Sequence, residues 1–155
     1  MPSSGDLLTW SWANGLPTAG AEFYDPTLTT DYVLCLYDWT AGTPRRILEA
    51  TAPADGMCGS QLCWQPTKTG FTYADQQGTS DGLRELVLEE GLTPGTAQIT
   101  VKGKGANLPL PTLPLHQSPK VTVQLQNSFG SCWGADYSTA IRNTSRLFIA
   151  AHPGP

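Results

Sequence analysis

The residues best equipped for chemistry in this chain are its four cysteines, Cys35, Cys58, Cys63 and Cys132. An even count in a Gly- and Pro-rich chain points to disulfides and an oxidising compartment. Three pairings exist. Cys58-Gly-Ser-Gln-Leu-Cys63 encloses four residues, one of them a glycine, so a local Cys58–Cys63 bridge closes easily. Cys35 and Cys132 are then left for each other, and a bridge over so long a loop stabilises by up to roughly 4–5 kcal/mol. Two rival readings stay open. Buried free thiols are one. Zinc is the other and the weaker, because the close pair is spaced C-x4-C and only His116 and His152 could complete a ligand set.

Other residue types offer catalysis little. No G-x-S-x-G turn is present, and both histidines lie in segments that read as irregular. Gly103-Lys104-Gly105 lacks the strand-loop-helix setting of a phosphate loop, so no cofactor is expected. Asp75-Gln-Gln-Gly-Thr-Ser-Asp81 puts two carboxylates in one polar loop, but it matches no EF-hand spacing and reads as a turn rather than a calcium site. Asn143-Thr-Ser145 is an N-glycosylation acceptor pattern, meaningful only on a eukaryotic secretory route. The five tryptophans are the better lead. Trp10 and Trp12 share one face of a strand and read as core, and Trp133 beside Cys132 should pack near a bridge. Trp39 ends a strand and Trp64 follows Cys63, so these two are the candidate ligand-contacting aromatics. Exposed rings stack on sugars, which makes polysaccharide a candidate partner. Cover for the open ends of a sheet is the competing role.

The elements that must position these residues are strands. Leu8, Trp10 and Trp12 alternate with Thr9 and Ser11 before an Asn14-Gly15 turn. Tyr-Val-Leu-Cys-Leu-Tyr between Asp31 and Asp38 is apolar on both faces and suits a central strand covered on each side. Period-two patterns recur through 46–51, 70–75, 97–104, 120–126, 133–137 and 147–149. Only 80–90 invites a helix, with Ser80 or Asp81 as cap and Leu83, Leu86 and Val87 near helical spacing. Its neighbours are all strands, and a strand over 83–89 is the preferred reading. Leu108-Pro-Leu-Pro-Thr-Leu-Pro-Leu115 cannot be an interior strand, since three of its residues lack an N–H. Residues 105–119 therefore form an extended Pro-rich crossover whose leucines cover a sheet edge, rather than an SH3-type ligand. The expected architecture is all-β, a two-sheet antiparallel β-sandwich of about nine or ten short strands. One domain spans 1–155, with tails at 1–5 and 152–155.

Composition agrees. Charged residues make up only 14%, against 16 Gly and 13 Pro, and 155 residues suffice for a real hydrophobic core. No apolar run is long enough for a membrane span. The first residues lack the basic and apolar regions of a signal peptide, so a secreted protein would be present here in mature or trimmed form. The net charge of −4 hides an asymmetry. Residues 1–100 hold 12 acids and 4 bases, whereas 101–155 hold Asp136 and five bases, Lys102, Lys104, Lys120, Arg142 and Arg146. Five spread cations on an acidic protein make no nucleic-acid stripe. The same asymmetry is compatible with head-to-tail contact between copies.

Several runs carry a resemblance. Asp31-Tyr-Val-Leu-Cys-Leu-Tyr-Asp38, Cys58-Gly-Ser-Gln-Leu-Cys-Trp64, Gly70-Phe-Thr-Tyr-Ala-Asp75, Val101-Lys-Gly-Lys-Gly105 with its Leu-Pro run, and Val121-Thr-Val-Gln-Leu-Gln-Asn-Ser128 with Cys132-Trp133 resemble a β-rich, four-cysteine module of secreted bacterial proteins. The likeness covers most of 6–137 and implies an extracytoplasmic place and four structural cysteines. It supplies no activity or ligand.

Function is then expected to be non-catalytic. An extracellular or cell-surface structural or adhesive module comes first, self-associating into oligomers or fibres through its apolar N-terminal strand or the edge that strand covers. A carbohydrate-binding module using Trp39 and Trp64 comes second, and a small secreted enzyme last.

Overall fold

The computed structural model describes residues 3–13 and 15–151. The terminal tails in part, Asn14 of the first turn, and His152 lie outside the described residues. In chain order the strands are β1 (Leu7–Trp12), β2 (Tyr32–Thr40), β3 (Thr43–Ala52), β4 (Met57–Cys58), β5 (Gln61–Leu62), β6 (Trp64–Pro66), β7 (Gly70–Ala74), β8 (Leu83–Glu89), β9 (Gln98–Lys104), β10 (Val121–Asn127), β11 (Cys132–Tyr137), β12 (Arg142–Asn143) and β13 (Phe148–Ile149). A single 3-10 turn, Gly20–Phe23, is the only helical element among the described residues.

Nine of these strands form two sheets, ordered β1-β9-β8-β7-β6 and β11-β10-β2-β3, with antiparallel neighbours throughout. The remaining four make the small hairpins β4–β5 and β12–β13. The all-β expectation holds, and two main sheets suit the sandwich. The period-two pattern explains the layering, because alternate side chains of each strand point to one face. Trp10, Ile99, Val101, Leu86, Leu88 and Tyr73 from the first sheet join Tyr32, Leu34, Ala50, Val123, Leu125 and Trp133 from the second in one core.

The strand preferred over 83–89 is present as β8, and its structure explains the helix-like spacing. Leu83, Leu86 and Leu88 are all fully buried on strand β8. A β-bulge between Leu83 and Glu85 takes up Arg84 as an extra residue, so two leucines three apart share a face. β2 is central, as expected, and its second face is partly covered too, since Cys35 there is buried. Tyr32 and Leu34 enter the core, while Val33 and Tyr37 on the other face stay half-buried.

Aromatic rings fill the centre. Trp64 lies 5.3 Å from Tyr32 and 5.2 Å from Tyr73, and Trp133 lies 5.5 Å from Phe23. Each polar tip finds a partner. Trp64 Nε1 donates to the Pro53 carbonyl (3.0 Å), Trp133 Nε1 to Thr18 Oγ1 (3.1 Å), and Trp10 Nε1 to the Tyr137 hydroxyl (2.9 Å). The last bond laces β1 to the edge strand of the opposite sheet. The first strand thus pairs within its own chain, residue for residue with β9.

The Pro-rich crossover behaves as cover. Leu108 and Leu115 are buried, and Leu110 packs partly against the core. Gly103 makes room for it, since a Cβ there would sit 2.7 Å from Leu108 Cδ1. Further on, the Trp39 amide donates to the His116 carbonyl (3.1 Å) and the Ser118 amide to the Trp39 carbonyl (2.9 Å), which extends the sheet beside β2 where β10 ends.

Trp64→Ala is expected to cost about 3–5 kcal/mol, since it empties the centre of a close-packed core. Urea denaturation followed by far-UV circular dichroism checks this, and a loss under about 1 kcal/mol contradicts it.

Candidate functional site

Cys58 and Cys63 are disulfide-bonded, with Cα atoms 4.9 Å apart, and the bridge ties off the β4–β5 hairpin. The second bridge is not made. Cys35 and Cys132 are both free thiols, the first buried and the second exposed. Sheet order supplies the reason. Cys35 on β2 stands opposite Gln124, and Cys132 on β11 stands opposite Gln126, so β10 runs between them. Two strand spacings amount to roughly 9–10 Å, beyond the ~7 Å limit of Cα separation for a bridge. Elimination along the chain paired them, and the intervening strand forbids it. Burial pushes both thiols above the ordinary cysteine value, and Glu49 adds to the effect at Cys35.

The two candidate aromatics do not form a platform. Trp64, at 1% exposure, is a centre of the core rather than a surface ring. Trp39 is half-buried, with Nε1 donating to Thr122 Oγ1 (3.1 Å) and Lys120 Nζ lying 4.7 Å from its ring centroid. Trp133 packs in the core as expected, though against Phe23 and Tyr32 rather than a bridge.

The polar loop 75–81 is a turn built around one carboxylate. Asp75 is buried and accepts from the Gln77 amide (3.1 Å), the Thr79 amide (2.9 Å) and the Thr79 hydroxyl (2.6 Å). Asp81 turns elsewhere, accepting from the Thr51 amide at 2.9 Å. Asn143 is likewise occupied. Its amide nitrogen donates to the Leu115 carbonyl (2.8 Å) and its Oδ1 accepts from the Leu115 amide (2.9 Å), pinning the crossover to β12.

Charge asymmetry along the chain does not become two poles in space. β9 inserts between β1 and β8, and β10 between β11 and β2, so the basic block is threaded through the acidic one. Lys102 meets Glu85 at 3.9 Å and Lys120 meets Asp136 at 2.9 Å.

Three surface features remain. An open cleft of about 670 Å³ runs where the edge strands β1 and β11 face each other, lined by Trp12, Leu16, Pro17, Pro94, Trp133 and Ala135 among others. Trp12 Nε1 caps the Gly134 carbonyl on the β11 edge (3.2 Å), whereas β1 has no strand on its outer side among the described residues. A second cleft of about 510 Å³, lined by Gln61, Gln65, Thr72, Gln76 and Gln77, sits beside the disulfide hairpin. Neither cleft is lined by a histidine.

The third feature is a pair of exposed rings. Tyr24 and Phe129 stack with centroids 4.7 Å apart and planes 15° apart, at 46% and 54% exposure. Tyr24 adopts φ 56°, a left-handed conformation costing a bulky residue about 1–3 kcal/mol. The Glu22 carbonyl clamps its loop to the β10–β11 turn by accepting from Asn127 Nδ2 (3.1 Å) and Ser131 Oγ (2.9 Å). Asn127 Oδ1 in turn accepts from the Phe129 and Ser131 amides at 3.1 and 3.0 Å. Sequence reasoning passed over both rings. Phe129, a large aromatic inside the turn Ser128-Phe-Gly-Ser131, was the available signal, whereas positive φ at Tyr24 has none.

Two expectations follow. Under native, non-reducing conditions Cys132 should react with a thiol reagent and Cys35 only after unfolding, two thiols in all, with the Cys132 rate rising as pH climbs past the ordinary cysteine range. Burial raises the Asp75 pKa, but the Thr79, Gln77 and Gly78 hydrogen bonds outweigh it and hold that pKa below the usual carboxylate value. Its stabilising effect is therefore complete above the unfolded value and lost as pH falls through the depressed one. Asp75→Ala should cost about 1–3 kcal/mol at neutral pH and flatten that acid limb, as read by denaturation at several pH values. Compared with known proteins, the chain matches no family model, no curated protein and no solved structure.

Proposed function

We propose that this chain is a non-catalytic structural or adhesive β-sandwich module that works outside the cytoplasm and associates with copies of itself through the side where β1 and β11 meet. The observation that carries this reading is the apolar cleft between those two edge strands, with the outer edge of β1 beside it. Unpaired sheet edges are templates for another chain, and proteins that avoid association blunt them. β1 carries no charge that would do so; Leu7 stands exposed on it, and Leu16, beyond its end and lining the cleft, is 80% exposed. The Cys58–Cys63 bridge supports an oxidising compartment.

Contact between acidic and basic halves has no part in this version, because the two charge blocks interleave. Association should then respond little to salt and weaken on cooling, the signature of apolar burial. Nor should removal of residues 1–13 yield soluble, non-assembling subunits, as contact through a spare N-terminal strand would imply. It strips Trp10 from the core together with its hydrogen bond to Tyr137, and should unfold the domain.

Light scattering coupled to size-exclusion chromatography tests the proposal. Wild-type protein should show concentration-dependent assembly, and Leu16→Asp or Leu7→Lys should return it to monomer with an unchanged melting temperature. A wild-type monomer at every concentration, in low and high salt, overturns it.

A further inference from the structure

We infer that the stacked Tyr24–Phe129 pair offers an outer ring face as the contact surface of a saccharide site that takes neutral hexopyranose units of a polysaccharide. This site is distinct from the Trp39 and Trp64 pairing considered on sequence grounds, and it does not depend on self-association. Two rings left about half exposed gain little from burial, yet the fold holds both in one arrangement. A strained backbone at Tyr24 and four hydrogen bonds converging on Asn127 and the Glu22 carbonyl keep them stacked. Strain that persists at an exposed position because its surroundings over-determine it marks pre-organisation for a partner.

The chemistry of that partner follows from the surroundings. A pyranose offers a flat C–H face and a rim of hydroxyls, so it needs an aromatic plate bordered by hydrogen-bonding groups. Asp25 follows Tyr24 directly, and Ser128 precedes Phe129. Asp31 is held beside that turn, its amide donating to Ser128 Oγ and the Ser128 amide to its carbonyl, both at 3.0 Å. Carboxylates accept strongly from sugar hydroxyls. Anionic sugars are disfavoured on the same ground. Glu22 and Asp25 flank Tyr24 in the chain, and Asp31 is paired with Ser128. Each has one carboxylate oxygen accepting from its own surroundings (the Ala19, Thr27 and Ala54 amides) and a second left for a ligand. Neither 16–44 nor 121–141 contains a lysine or arginine.

The test is retention of monomeric protein on insoluble cellulose, chitin and mannan, with affinity electrophoresis in soluble glucan alongside. Wild type should be retained by at least one of these. Phe129→Ala should weaken that binding about tenfold or more, and Phe129→Tyr should keep it within about threefold. Because Phe129 is a half-exposed turn residue, the alanine variant should lose only the ring stack and keep a cooperative melt close to that of wild type, which separates lost contact from lost fold. Tyr24→Gly should lose binding while keeping a cooperative melt, since relief of strain offsets the missing stack. The Leu16→Asp variant should bind as wild type does, so this site stands or falls apart from association. No retention on any of the polymers, or retention of Phe129→Ala equal to wild type, overturns the inference.

Discussion

Burying large aromatic side chains that carry a polar tip is the constraint on which the rest of this molecule turns. An indole or phenol contributes much apolar area, but its N–H or O–H must find a partner inside. For three of the central rings the partners lie outside the strands: the Pro53 carbonyl for Trp64, Thr18 for Trp133, the Phe23 carbonyl for Tyr32. Each bond pulls a connecting segment onto the end of the sandwich. Tyr32 has the widest reach, because its hydroxyl donates to Phe23 and accepts from Asn127 Nδ2 (3.4 Å), the residue that organises the β10–β11 turn. Burial holds that phenol far above its ordinary pKa, so it stays a donor at any physiological pH. The exposed Tyr24–Phe129 pair is thus the outermost consequence of a bond made in the core.

The same economy governs the edges. On one side β1 is laced to β11 by Trp10 and Trp12, whose indole nitrogens satisfy the Tyr137 hydroxyl and the Gly134 carbonyl. Gln117 Nε2 covers the Tyr137 carbonyl at 2.8 Å. β11 is blunted by side chains, whereas β1 is not. That difference leaves the outer edge of β1 without a strand partner among the described residues, with an apolar cleft next to it. At the far edge of the five-stranded sheet, short β6 is flanked by the disulfide-tied hairpin, an alternative means of ending a sheet.

Much of the fold was legible in residue order, because alternation is a local property. Leu8, Trp10 and Trp12, or Val121, Val123 and Leu125, announce a strand and its buried face without reference to anything distant. Local closure was legible too, as the Cys58–Cys63 loop shows. The strand over 83–89 was legible as well, although the bulge at Arg84 gives its leucines a spacing that also suits a helix. The reading failed where two features depended on strand order. Cys35 and Cys132 were matched by elimination, which ignores the strand that lies between them. Trp64 reads as a candidate surface ring because it follows Cys63, although β6 turns its ring inward onto Tyr32 and Tyr73.

By itself, then, the sequence determined an all-β chain, its half-buried strands, a Pro-rich crossover and one local bridge, since all of these follow from period-two patterning and from groups within a few residues of each other. Tertiary structure alone decided which thiols stay apart, how the acidic and basic blocks interleave, and which aromatics reach solvent. These depend on the order of strands in the sheets and on loop bonds that join residues about a hundred positions apart, such as Asn127 to Glu22. Neighbours in a sheet are set by non-local pairing, and no property of a short window carries that information.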